Sequence, residues 1–205
     1  MFSPRLDMTF FDRSPLPVAR ELLGCRLVRM LNGQRLAGII TETEAYDGEE
    51  DLACHARAGL TPRTEVMYRP AGHLYVYFTY GIHWLLNFVT GPGSHPSAVL
   101  LRGLFVTEGQ AYVAQRRNNR PPRQWTDGPA KITQALDIDG RLNGQWMYSP
   151  ESELWVESGI PIPDDRVVTT ARIGIDSVPE PWKSKPWRFL TRLDPPMETG
   201  RSASF

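Results

Sequence analysis

"CRLVRMLNGQRLAGIITETEAY", residues 25–46, carries two β-rich runs either side of Asn32-Gly33. Asn-Gly tolerates the positive φ angles of a type I′ turn, so the stretch predicts an antiparallel hairpin. Successive side chains of a strand point to opposite faces. Alternation therefore sends Glu42, Glu44 and Tyr46 one way and Thr41, Thr43 and Ala45 the other. Beyond the strand, Asp47, Glu49, Glu50 and Asp51 surround Gly48 and read as a solvated loop. Glu44 is different: it sits mid-strand, two residues before an aromatic on its own face, where even a partly buried carboxylate needs a partner or a task. Strand position alone leaves both readings open.

Working outward, "SPLPVARELLG" predicts a short helix with Ser14 at its cap and Gly24 at its end. "LYVYFTYGIHWLLNFVT" predicts a second hairpin with Tyr80-Gly81 at its tip, and Tyr75, Tyr77 and Thr79 on one face of the first arm. "SAVLLRGL" adds a strand whose apolar run is broken by Arg102. A helix over about 107–117 and another opened by "DGPAK", with Pro129 in its first turn, follow. "LWVES" and "VVTTARIGI" are strand-like runs, and "ETGRSASF", 198–205, reads as a disordered tail. The expected fold is α+β: one domain over residues 1–205, with helices around a curved antiparallel sheet and a protruding β-hairpin.

The 205 residues have zero formal net charge, which argues against strong nonspecific attraction to polyanions. Within that balance, residues 102–131 hold Arg102, Arg116, Arg117, Arg120, Arg123 and Lys131 against Glu108 and Asp127. No apolar run is long enough for a membrane helix and the start lacks a signal-peptide pattern, so an intracellular, soluble protein without membrane attachment is expected. Cys25 and Cys54 read as buried free thiols. His55, His73, His83 and His95 lack metal-ligand spacing, and no nucleophile-elbow motif occurs; neither a metal nor a cofactor is expected. Tyr75, Tyr77 and Tyr80 admit ordinary packing or a platform for base stacking. Asn87 and Arg102, each among apolar neighbours, require polar partners, and Glu44 is the obvious one for Arg102.

"ETEAYDGEEDLACHARAGLTPRTEVMY", "AGHLYVYFTYGIHWLLNFVT", "SAVLLRGL" and "DGPAKITQAL" occur here in the order found in the methylpurine (3-methyladenine, or alkyladenine) DNA glycosylase family, which nearly the whole chain resembles. The resemblance implies a monofunctional hydrolase of base excision repair that flips alkylated or deaminated purines out of double-stranded DNA and leaves an abasic site. It implies that Glu44 is the catalytic base, that Arg102 beside it keeps its carboxylate ionised, and that Tyr46 and Tyr77 sandwich the base. His55 would bond to the base edge and Asn87 would obstruct the 2-amino group of guanine. Tyr80 would fill the vacated gap in the duplex, with Met67 beside it. Lys131, at a helix start, is the expected phosphate contact, with Arg63 and Arg188 behind it. No lysine lies near Glu44 in sequence, which argues against a Schiff-base strand cleavage, and a monomer is the expected state. Two other classes compete: a non-catalytic reader of damaged or single-stranded DNA, and a sugar-polymer hydrolase using Glu42 and Glu44 as its carboxylate pair.

Overall fold

A computed structural model describes residues 3–193. β1 (Arg26–Leu31) and β2 (Gln34–Asp47) form the expected hairpin, with Asn32 at φ 50° and Gly33 at φ 77°. β3 (Leu74–Thr79) and β4 (His83–Thr90) form the second hairpin, and β5 (Ser97–Glu108) pairs with both β4 and β2. β6 (Leu154–Glu157) extends β1, while β7 (Val167–Thr170) joins β8 (Arg188–Thr191), which lies against the far half of β2. The result is an eight-stranded antiparallel sheet with β2 at its centre, in the order β3-β4-β5-β2-β1-β6. Among the described residues four helices complete the α+β fold: α1 (Met8–Phe11), α2 (Pro15–Glu21), α3 (Gln110–Arg116) and α4 (Pro129–Leu136). None of the helices among the described residues is long and apolar enough to cross a membrane.

The two faces of the sheet do different work. On one, Leu27, Leu36, Ile40, Ala45, Leu74, Val76, Leu86, Phe88, Val99 and Leu101 meet Val18, Leu22, Ile132 and Leu136 of the helical layer. Each fully buried aliphatic side chain there contributes roughly 1.5–3 kcal/mol relative to exposure. On the other face a smaller cluster joins Tyr75, Val89 and Ala98 to Cys54, Ala56, Val66 and Met67 from short 3-10 turns at His55–Ala58 and Glu65–Tyr68. Both cysteines are free and buried, and burial pushes each thiol up to about 12.

Three local expectations are corrected. The strand β5 runs through Thr107 and Glu108, which were expected to open a helix. Glu108 pairs with Ala37 and its carboxylate accepts from Arg26 and Arg35, and only Gly109, at φ 74°, turns the chain into α3. Ser14 stands at the start of α2 without capping it through its side chain; Pro15, which has no N–H to satisfy, opens the helix. Strand structure ends at Thr170 because Arg172 enters the interior and the Ile173 amide turns toward Glu44. The tail, 198–205, lies outside the described residues.

Between β2 and β5 the ladder slips three times, first at Thr107, which is extra on β5 between Glu108 and Val106, and then twice around Glu42. Ile40 faces Leu104 and Glu42 faces Gly103, leaving Thr41 extra on β2; Thr43 then faces Leu101, leaving Arg102 extra on β5. Bulges of this kind bend a strand and re-aim a side chain, and here the re-aimed residue is Arg102. The close approach needs a glycine: a Cβ on Gly103 would lie 2.7 Å from Thr41 Oγ1 and 2.8 Å from Glu42 Cβ. Gly103→Ala is accordingly expected to destabilise the fold by about 1–3 kcal/mol, read as a lower urea midpoint at unchanged slope.

Candidate functional site

Antiparallel register places Tyr75 opposite Asn87, Asn87 opposite Leu100 and Leu100 opposite Glu44, so one transverse row crosses β3, β4, β5 and β2. Residues facing each other across a ladder point to the same side of the sheet. Tyr77, Thr79, His83, Leu85 and Arg102 join that row's side, away from the main core, and line a cavity of about 370 Å³. Its remaining wall comes from Tyr46, His55, Met67, the first turn of α4 at Pro129 and Ala130, and the loop Ile173–Ile175.

Glu44 has no solvent contact. Its Oε1 accepts from the Ile173 amide at 2.7 Å, and its Oε2 accepts from the Tyr46 hydroxyl at 2.8 Å and from Arg102 Nη1 at 3.2 Å. All three donor residues line the cavity, whereas Glu44 lies one shell behind them. Arg102 also donates from Nε to Glu42 Oε1 at 3.2 Å, and the same oxygen accepts from Arg188 Nε at 2.6 Å. Two glutamates and two arginines thus alternate along the sheet face.

Burial is the largest influence on Glu44 and pushes its carboxyl above the usual range; Arg102 is the strongest counterweight, followed by the Ile173 amide and Tyr46, while Glu42 adds to the upward push. Arg102 is the main group favouring the ionised carboxylate, and it works against desolvation. Tyr46 is driven well above the ordinary phenol value, first by burial and then by Glu44, so it stays a donor. His55 Nδ1 shares a 2.8 Å hydrogen bond with Tyr75 hydroxyl, and its ring meets Tyr77 edge-on, centroids 4.5 Å apart. Burial, then Arg63 and Arg57, lowers His55 to about 4, leaving a neutral imidazole. Asn87 is buried and donates from Nδ2 to the Tyr75 carbonyl at 3.1 Å, which holds its amide against the cavity.

At the mouth, the β3–β4 hairpin ends in a three-residue loop, with Tyr80 at φ 51° and Gly81 at φ 69°. Tyr80 is 86% exposed and Ile82 70%. Met67 is not their companion. Its side chain is 2% exposed, packed among Cys54, Val66 and Tyr75, and it contributes to the cavity wall instead. Ile82 is the apolar residue that stands free beside Tyr80, and the tight turn was the available signal, since both its flanks must project together.

The expected phosphate contacts separate. Lys131 lies half-exposed in the first turn of α4, paired with Asp127 at 2.8 Å. Arg63 is exposed, its guanidinium 5.4 Å from the centroid of the Tyr77 ring. Arg188 is 19% exposed and held by Glu42 and Thr170, so it belongs to the acid network and not to a free surface. In the basic loop, Arg116 and Arg117 bond to Gln134 while Arg120 and Arg123 are exposed.

The acidic loop is also redistributed. Glu49 and Glu50 are exposed as expected, and Asp47 meets His95 Nε2 at 2.7 Å. Asp51 is fully buried in an ion pair with Arg172, a residue that pattern reading missed because "ARIGI" resembles a strand. Among the described residues no three His, Cys, Asp or Glu side chains are grouped to hold a metal ion.

A family profile described as methylpurine-DNA glycosylase matches residues 9–195. A "Putative 3-methyladenine DNA glycosylase" of Carboxydothermus hydrogenoformans is 44% identical over 187 residues, covering 91% of this chain and 95% of that protein. Proteins of the same name from Myxococcus xanthus and Bacillus subtilis are 43% and 40% identical, covering 91% and 90% of this chain and 90% and 91% of theirs.

The electrostatics have a direct readout. In carbon-13 and nitrogen-15 NMR titrations, Glu44 is expected to protonate above the usual glutamate value of about 4.3, and Arg102→Met to move that midpoint higher still. His55 should stay neutral until pH falls to about 4.

Proposed function

The chain belongs to the methylpurine-DNA glycosylase family, and from that membership together with the site geometry we propose that it extrudes a damaged purine nucleotide from duplex DNA and hydrolyses its N-glycosidic bond. Atoms of a base are out of reach inside the stack, so such chemistry requires the nucleotide to leave it, at a cost of a few kcal/mol. Tyr80 and Ile82, projecting from a tight turn, supply an apolar wedge that replaces the lost stacking. The cavity volume falls within the range of small-ligand sites. Tyr46 and Tyr77 offer ring faces to the base, and the neutral His55 and Asn87 offer polar atoms to its edges.

The observation that carries the reading is Glu44, a carboxylate with no solvent contact whose surrounding donors all line one cavity. A water entering between Arg102 and Glu44 Oε2, the longest of the three contacts, gives its proton to the carboxylate. Its oxygen then bonds to C1′ as the C1′–N bond breaks and the electron pair leaves with the base. A raised carboxyl is a stronger base near neutral pH, and the anion stabilises the positive charge that grows on the sugar. Alkylated purines leave readily because they already carry positive charge. None of the three lysines lines the cavity, which supports hydrolysis without strand cleavage.

Single-turnover assays on duplexes holding one hypoxanthine or ethenoadenine test the reading. The wild-type protein should release the base and leave an alkali-labile site. Glu44→Gln should lose about 10²–10⁴ in rate with lesion affinity nearly kept; tight binding with an intact base in the wild type would instead indicate a reader. The rate should fall as pH drops through the raised Glu44 value. Tyr80→Ala with Ile82→Ala, at exposed positions where folding is unaffected, should weaken lesion binding by about 1–3 kcal/mol.

A further inference from the structure

Next to the acid lie two charges that the reaction does not use. Asp51 and Arg172 are both without solvent contact and join at two points, Nη1 to Oδ2 at 2.5 Å and Nη2 to Oδ1 at 2.9 Å. Desolvation offsets much of the attraction in such a pair, so stability alone is a weak reason for it. Arg172 Nε is buried with no hydrogen-bond partner, an imperfection that a purely structural pair has little reason to keep.

What the pair holds is backbone. Arg172 Nη1 also donates to the carbonyl of Ala45, the residue between Glu44 and Tyr46, at 3.0 Å. The amide of the very next residue, Ile173, is the one that reaches Glu44 Oε1. The Asp51 carboxylate accepts from the amides of Asp47 and Ala53, and its carbonyl accepts from Cys54, the neighbour of His55. The guanidinium carbon lies 4.7 Å from the centroid of the Tyr46 ring and 5.0 Å from that of Trp187.

We propose that the Asp51–Arg172 pair is a positioning device: one buried guanidinium ties together the strand bearing Glu44 and Tyr46, the loop leading to His55, and the loop whose Ile173 amide orients the Glu44 carboxylate. The proposal rests on the reading of Glu44 as the base. Neither member of the pair touches the cavity, so both act through the groups they hold. Without Arg172 the Ile173 amide drifts and Glu44 loses a donor that favours its ionised form. The groups still facing Glu44 are Arg102, Glu42, Tyr46 and Tyr77, with Arg188 behind Glu42.

Two variants of the full chain test this. Arg172→Lys keeps the charge and loses the two-point grip; Asp51→Asn with Arg172→Gln leaves no lone buried ion. Single-turnover excision of hypoxanthine across pH, lesion affinity by anisotropy, and the Glu44 carbon-13 titration of the free protein are measured on each. The double variant should be slower by about 10²-fold, the scale of a 1 Å misplacement, with a smaller loss of lesion affinity through Tyr46 and His55. Its Glu44 midpoint, and with it the acid limb of the rate profile, should move to higher pH, Arg172→Lys falling between. A folded variant with wild-type rate and wild-type Glu44 midpoint overturns the proposal. If the double variant does not fold, Arg172→Lys decides by the same two readouts. A wild type that excises nothing defeats the functional reading alone, and the Glu44 titration then decides the positioning by itself.

Discussion

A carboxylate without solvent contact is tolerated only where donors converge on it, and the site is organised by how that requirement is met at Glu44. Its three donors come from β2 itself, from the bulge on β5, and from the loop after β7. Each is distant from the others in sequence or separated by a strand-register shift, so the acid cannot be satisfied until the sheet is closed around β2. Desolvation remains the larger influence, which leaves a stronger base than an exposed glutamate would be. The cost of burying that charge is borne by the paired bulges, by Gly103 and by the Arg102–Glu42–Arg188 chain.

The sheet serves both as wall and as partition. Alternation along β2, β3, β4 and β5, reset where the bulges interrupt it, gives one face to Leu, Val and Phe packed beneath helices and the other to tyrosines, an asparagine, an arginine and the acid. Rigid strands hold these side chains more exactly than loops could, which suits a reaction sensitive to displacements of about 1 Å. Loops contribute where reach matters more than precision: the hairpin tip with Tyr80 and Ile82, and the turn bearing His55.

Both hairpins, the free thiols, the α+β class and the shared face of Glu42, Glu44 and Tyr46 were legible in the sequence. Turn chemistry and period-two alternation are local, and they survive folding. The readings that failed concern residues judged by their neighbours in the chain. Asp51, in a run of acids, became the most deeply buried of them because Arg172 reaches it from 121 residues away. Arg188, named as a weaker phosphate candidate, is drawn onto Glu42 by β8. Met67 was placed beside Tyr80, yet its segment packs under Tyr75, and Ile82 holds the exposed position.

By itself, then, the sequence determined the two hairpins, which way their side chains alternate, and, through four ordered motifs, the family to which the chain belongs. Only the tertiary structure decided the register that sets Tyr75, Asn87, Leu100 and Glu44 in one row, the slip that turns Arg102 onto two glutamates, and the burial of Asp51 with Arg172. The division has a physical reason. Alternation and turn preference are properties of a few consecutive residues, whereas register and charge pairing minimise unsatisfied polar groups over the whole molecule, and that minimum exists only once distant strands have met.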